Sequence, residues 1–438
     1  MSQYESSKHA DCYSFLNSMI EYIQDLKVQL ITYEDLKKFT NEHLQKGHSQ
    51  DERERYETLT QLIFKFIDGK ASESVLRFYL KRQFVIEEFK LDEIINKLNL
   101  IMSKKGLGNP SITFADNFSY PKVSVIITTY NRKDYLFQAI NSILAQDYPN
   151  IEIITIDDNS SDGTDLLMAE HFNNHPQIIY IRKEKNCGPG TNRREAFQSF
   201  ADGEYTLFLD DDDYLIDYHY ISKTVHFHMN HPEVSFVAAN VFFEYSLKDL
   251  LKISDLGLSE VVNKYDYLIN FERPGYPKPL STLTTVFKRD SLIEMGILNM
   301  NMVNDASIYM RALLVGHAGF IDSIVGVYRI HGNNITFNLS KEFIVENLDE
   351  KTIVKNMAIE QFGFNKNDMD NWFNYTVHNT VSYYLVNSAR NAEDFRYMFN
   401  WTKENCPSIY HDLRNTYRFT LWKKRLKRFP LVRKLSGK

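Results

Sequence analysis

The sequence predicts an α/β fold: a mainly parallel sheet with helices on both faces, flanked by helical regions at either end. Three observations predict it. Five short runs rich in β-branched and aromatic residues succeed one another from Val123: VSVIITTY, IEIITID, IIYIRK, YTLFLD and VSFVAANVFF. The first four are separated by stretches of helical character, such as 134–145 and 192–200, and apolar strands alternating with helices pair in parallel under two helical layers. Before residue 105 and after residue 340 the apolar spacing is helical instead.

In chain order, residues 1–105 form a helical module. Phe15, Met19, Ile23, Leu26 and Leu30 keep the spacing of one buried stripe. Thr32 with Asp35, and Ser49 with Glu52, have the spacing of capping boxes. No chemistry is readable here, so the module is expected to serve packing or self-association. Residues 106–120 lie in SKKGLGNPSITFADNFSYPK, whose glycines and prolines mark a linker. The sheet domain spans 121–338, a second helical region 339–410, and a basic amphipathic tail 411–438.

With 438 residues, 43% hydrophobic and 25% charged, the composition is that of a globular chain of two or three domains. No run approaches the roughly 18 apolar residues of a membrane span. The first residues lack a basic stretch leading into an apolar one, so secretion is not expected. Cys12, Cys187 and Cys406 are few, odd in number and not spaced as ligands, which suits a reduced cytoplasm. The net charge of -6 conceals an asymmetry: residues 411–438 hold ten Lys/Arg against Asp412 alone. RFTLWKKRLKRFPLVRKL interleaves Trp422, Leu426, Phe429 and Leu431 with these bases, a pattern that suits an anionic membrane surface. Nucleic acid is not expected, because the body is acidic and no recognition module is present.

Open α/β sheets bind ligands beyond the carboxyl ends of their strands. Those ends read Thr128-Thr129-Tyr130, Asp157-Asp158 and Asp210 to Asp213. Four consecutive aspartates are costly unless a cation neutralises them, and oxygen ligands favour Mg²⁺ or Mn²⁺; a solvated acidic turn is the plainer alternative. Alternation puts Asp210 and Asp212 on one side and Asp211 and Asp213 on the other, leaving Asp211 as filler and Asp213 as support for the turn or for the ligands from behind. DDNSSDGTD has Ala169 where a calcium loop needs glutamate, so calcium is set aside. Asp158 could accept from a nucleobase N–H or simply close an Asx-turn. NCGPGTNRREAF runs a glycine turn into a helix bearing Arg193 and Arg194, a setting for a diphosphate, and matches neither a dinucleotide fingerprint nor a P-loop. Asn304-Asp305 opens another helical pattern, as cap or as general base. His331 stands beside a Gly/Asn turn, solvated or a metal ligand. His226, His228 and His231 lack a fourth zinc ligand and belong to an amphipathic helix.

Seven segments in order resemble the inverting family-2 nucleotide-sugar glycosyltransferases of the GT-A fold: PKVSVIITTYNR, IDDNSSDGT, NCGPGTNRR, GEYTLFLDDDDYL, LSTLTTVFKRDSLIEMG, NDASIYMR and YRIH. The resemblance covers about residues 119–338. It implies that Thr128 and Tyr130 line the nucleotide pocket, that Asp158 reads the base, and that Arg193 lies near the diphosphate. It implies that Asp210 and Asp212 form the D-x-D pair, Asp212 touching a Mn²⁺ or Mg²⁺ ion and Asp210 nearer the ribose or one layer behind the ion's direct ligands. Asp305 matches the catalytic base, and His331 a histidine that in some members completes the metal site. The implied donor is a nucleotide diphosphate sugar, UDP-linked in expectation, and the implied acceptor a glycan or lipid-linked hydroxyl in bacterial cell-surface polysaccharide synthesis. The expected location is cytoplasmic, peripheral at the inner face of the membrane. Asn304-Asp305 replaces the usual Glu-Asp, and Asn192-Arg193-Arg194 the usual Ala-Arg-Asn. The QxxRW motif of processive synthases is absent. A nucleotidyltransferase, or a non-catalytic sugar-nucleotide or membrane-binding module, are the alternatives.

Overall fold

The computed structural model describes residues 3–26, 30–44, 48–107, 112, 114, 118–279, 281–300, 305–331 and 340–426. Most of the linker, Asn304 and residues 427–438 of the tail therefore lie outside the described residues. Compactness divides the chain into two units that do not respect sequence order. The first comprises Met1–Val262, Pro277–Glu294 and His317–His331; the second comprises Asn263–Tyr276, Met295–Gly316 and Gly332–Lys438.

Among the described residues, the first unit holds one sheet of ten strands: β1 Val123–Thr129, β2 Ile151–Asp157, β3 Ile178–Arg182, β4 Tyr205–Asp210, β5 Tyr214–Leu215, β6 Val234–Tyr245, β7 Leu250–Ile253, β8 Val261–Val262, β9 Thr285–Lys288 and β10 His317–Ile330. The order is β3-β2-β1-β4-β9-β6-β10-β5, with β7 on β6 and β8 on β10. β3, β2, β1 and β4 are mutually parallel, as are β6 and β10, while β9 joins the two blocks antiparallel to both neighbours. The sheet is thus mixed, with its parallel half at the strands that carry the predicted motifs.

Strand alternation sorts the two faces. Val125, Ile127, Ile153, Leu207 and Leu209 share a core with Leu136, Ile140 and Ile143 of the helix Lys133–Leu144 and with Tyr220, Ile221 and Val225 of the helix Tyr220–Asn230. On the other side the N-terminal helices share a core with Tyr214, Ile216, Phe242, Leu251, Ile324 and Val327 of the sheet. Tyr79 stacks on Phe242 at 5.4 Å, and Lys65 meets Asp322 at 2.9 Å. The predicted capping boxes are both formed. The predicted stripe is buried at Phe15, Met19 and Ile23, but its helix stops at Asp25 and Leu30 is exposed. The helical spacing there outruns the helix.

The second unit is helical, with Asp305–Val315, Lys341–Glu360, Lys366–Asn387, Ala392–Asn405 and Pro407–Leu426 as its longer elements. Arg311 and Glu350, both buried, form a two-pronged ion pair inside it. No helix among the described residues is long and apolar enough to cross a membrane.

Candidate active site

Register brings the predicted motifs to one edge. Thr129 of β1 pairs with Asp157 of β2, and Thr128 with Asp210 of β4, so three loops leave the sheet side by side. Asp210 alternates away from Leu209 and is paired with the guanidinium of Arg193, a buried side chain on the helix Pro189–Ser199. The same alternation sends Thr129 the opposite way, where its hydroxyl donates to Asp211 at 2.7 Å. Arg132, just beyond β1, donates from Nη1 to Asp211 at 3.0 Å and to Asp212 Oδ2 at 2.7 Å. His331 Nε2 lies 2.9 Å from that same oxygen, its ring stacked on Tyr135.

Asp211 corrects the sequence reading. It is no filler: 4% exposed, it is gripped by Thr129 and Arg132. Burial pushes its carboxyl up to about 7, with Asp212 adding to the rise and Arg132 opposing it. Asp213 is pushed well above the carboxylate range by burial and by Asp212 and Asp210. It accepts the backbone N–H of Arg329 at 3.0 Å and the hydroxyl of Ser281 at 3.4 Å, so it does brace the turn. Burial works against the charge of Arg132, but the neighbouring carboxylates outweigh it and raise its pKa.

Arg329 ties this turn to the rest of the unit. Its Nη1 donates to the Asp212 carbonyl at 2.6 Å, and its guanidinium lies between the rings of Tyr135 (4.7 Å) and Tyr214 (4.4 Å). Glu244 faces its Nε at 3.3 Å and is held in turn by Arg82 of the N-terminal helices at 3.1 Å. A line of contacts therefore runs from the helical module to the aspartates.

The neighbouring loop is fixed by Asp158, whose two oxygens accept the N–H groups of Cys187 (2.7 Å) and Gly188 (2.8 Å). Gly188 has φ +81°, a conformation that favours glycine, at the entry to the helix bearing Arg193. The local turn considered for Asp158 is not made by it; Asp157 instead accepts a loop N–H, that of Ser160 three residues on. Thr128 is buried, while Tyr130 stands half-exposed with its ring open to solvent. Asp305 opens its helix in the second unit. His228 is buried with Nε2 2.9 Å from the Val286 carbonyl oxygen, and burial lowers its pKa to about 3.

Asp210, Asp212 and Asp213 each offer a carboxylate oxygen, and the three lie within 4.8 Å of one another. Three hard oxygen donors this close, with an imidazole nitrogen beside Asp212, fit a Mn²⁺ or Mg²⁺ ion.

Residues 124–296 match Glycosyl transferase family 2. The chain carries a family 2 glycosyl transferase domain. Its sheet resembles that of Staphylococcus aureus TarS 1–349 in complex with UDP-GlcNAc, with a TM-score of 0.51 and 19% identity over 64% of this chain and 79% of that one. That likeness shows the GT-A fold. Among curated relatives, a Campylobacter jejuni GalNAc(5)-diNAcBac-PP-undecaprenol beta-1,3-glucosyltransferase is 41% identical over 97 residues, 22% of this chain and 31% of that protein. Escherichia coli WfaP, a UDP-Glc:alpha-D-GlcNAc-diphosphoundecaprenol beta-1,3-glucosyltransferase, is 28% identical over 54% of this chain and 87% of its own length. The chain thus spans about a third of the first relative and most of the second.

Around this site, sequence reasoning missed Arg132, Arg329 and Glu244. Arg132 carried a signal, as the last residue of PKVSVIITTYNR beside a strand end. Glu244 carried none, since nothing marks it apart from other strand residues.

Proposed function

We propose that the chain is a metal-dependent inverting glycosyltransferase that moves a sugar from a nucleotide diphosphate donor, UDP-linked, to a hydroxyl of a glycan or lipid-linked acceptor in bacterial cell-surface polysaccharide synthesis. One observation carries the reading: the Asp210, Asp212 and Asp213 cluster at the carboxyl edge of β4, inside a family 2 domain. Relatives named for UDP-Glc and diphosphoundecaprenol substrates support the donor and acceptor classes.

Asp212, Asp213 and His331 would hold the ion, with Asp210 on the ribose side. When bound, the ion would neutralise charge on the departing diphosphate. Arg193 and Arg132 flank the aspartates and would bind diphosphate oxygens through their N–H groups. Tyr130 offers its exposed ring to the base beside Thr128, and Asp158 shapes that pocket through the 187–188 turn while its remaining lone pairs face the base N–H. Asp305 takes the proton of the acceptor hydroxyl as its oxygen attacks the anomeric carbon from the face opposite the nucleotide, which inverts the configuration. The basic residues of 411–438 bring the enzyme to the inner membrane face, where a lipid-linked acceptor would lie.

A donor-hydrolysis screen of nucleotide sugars, with Mn²⁺ or with a chelator, tests this reading. Turnover is expected only with metal, and Asp212→Ala is expected to lower it by about 10²–10³-fold, the scale of losing one electrostatic stabiliser. Asp305→Asn should abolish transfer to acceptor while retaining metal-dependent donor binding. Metal-independent turnover, or an undiminished Asp212→Ala, would refute the site.

A further inference from the structure

The second unit carries a recess that the transfer chemistry does not use. We propose that it binds the phosphate head group of an anionic membrane lipid. The recess has a volume of about 490 Å³ and lies between the helices Ala392–Asn405 and Pro407–Leu426. That volume falls in the range of small-ligand sites. Arg396 enters from the first helix; Tyr410, Arg414, Arg418 and Trp422 enter from the second at four-residue intervals, which stack on one helical face.

Two features select the ligand. The first is charge. Arg396, Arg414 and Arg418 converge on one cavity, and none has a carboxylate partner among the described residues. Their contacts are neutral: Arg396 donates to the Ala392 carbonyl, and Arg414 lies by the Tyr410 ring and hydroxyl. Like charges gathered without acids call for an external anion, and guanidinium forks match phosphate oxygens in pairs. Residues 423–438, next in the sequence, add eight Lys/Arg and no acid.

The second feature is apolar. Phe419 and Trp422 line the same recess, stacked at 5.9 Å, yet stay 58% and 55% exposed. Free phosphate gains nothing from two surface rings. A head group does, because its phosphate can sit among the arginines while the rings enter the interfacial layer above it, where tryptophan is favoured. The inference rests on the surface attachment proposed for 411–438 and narrows it from a charged tail to a shaped recess.

The test is co-sedimentation of the full chain with vesicles of phosphatidylcholine, alone or mixed with phosphatidic acid, in the absence of donor and metal. Wild type is expected on the anionic vesicles only. Arg414→Lys with Arg418→Lys keeps the charge and removes the forks; binding is expected to weaken about tenfold, the scale of one charge-assisted hydrogen bond. Binding equal to wild type would overturn the recess and leave the tail's charge to account for attachment. Release from vesicles by micromolar inorganic phosphate would also overturn it, as would a changed mass of the free double variant by light scattering, which would make the recess a contact between copies. Should the double variant not fold, tryptophan emission serves: a blue shift on adding anionic vesicles that Trp422→Phe removes supports the proposal, and no shift in wild type refutes it. The transferase reading stands or falls separately, because vesicle binding is measured without turnover.

Discussion

The aspartates at 210–213 and the arginines at 396, 414 and 418 are both clusters of like charge, but they are neutralised differently. Each aspartate is met by a donor from its own unit: Asp210 by Arg193, Asp211 by Thr129 and Arg132, Asp212 by Arg132 and His331, Asp213 by the Arg329 N–H. The arginines meet no acid among the described residues. A cluster whose hydrogen-bond donors are built in keeps its geometry before any ligand arrives, which is what transition-state stabilisation requires. A cluster without them contributes little to folding and leaves its attraction for something outside the chain.

The largest effect that could break this contrast is at Arg329. Arg329→Met should cost about 3–5 kcal/mol of stability in urea unfolding, because Glu244 and the Asp212 carbonyl lose a buried partner. A cost below about 1 kcal/mol would mean that the acidic turn does not depend on its built-in donors.

A smaller test uses a charge that the fold refuses altogether. His228 is neutral when folded, with its pKa lowered to about 3 from 6.5 by burial. Below pH 6.5 the unfolded chain takes up a proton that the folded chain does not, so the full contribution of this group to stability is present above 6.5 and is lost as pH falls toward 3. Thermal melts of wild type should weaken across that window, and those of His228→Gln should fall less steeply. Parallel profiles would show that His228 charges in place.

The smallest expected effect is at the basic recess. Arg414→Gln with Arg418→Gln should leave the unfolding free energy in urea nearly unchanged, within about 0.5 kcal/mol, since no ion pair is broken. A clear loss would place those side chains in the folding core and erase the contrast.

The strands and their polar ends were legible because each is local: a β-branched run, then Thr or Asp where β1, β2 and β4 stop. The capping boxes were legible for the same reason, three residues apart. Alternation set Asp211 and Asp213 together against Asp210 and Asp212, but β4 ends at Asp210 and the chain turns there, so Asp213 lies with Asp210 and Asp212 instead. Nor could it reveal Thr129 and Arg132, some eighty residues earlier, beside Asp211. Arg329 was hidden by its neighbour, since YRIH drew attention to His331. Glu244 and Arg82, separated by 162 residues, become meaningful only once β6 and the helix Glu73–Phe84 are brought together.

The core that the N-terminal helices share with the sheet bears on how portable the catalytic domain is. The family match starts at residue 124, which invites excision or transplantation of the chain from that point onward. Cutting there would strip the cover from Tyr214, Phe242, Leu251, Ile324 and Val327 and sever Glu244 from Arg82. The cut surface would be a broad apolar patch of the kind that aggregates. Exchange of this transferase domain between chains therefore has to carry the first hundred residues along, and a swap that respects only the family boundary should yield insoluble protein.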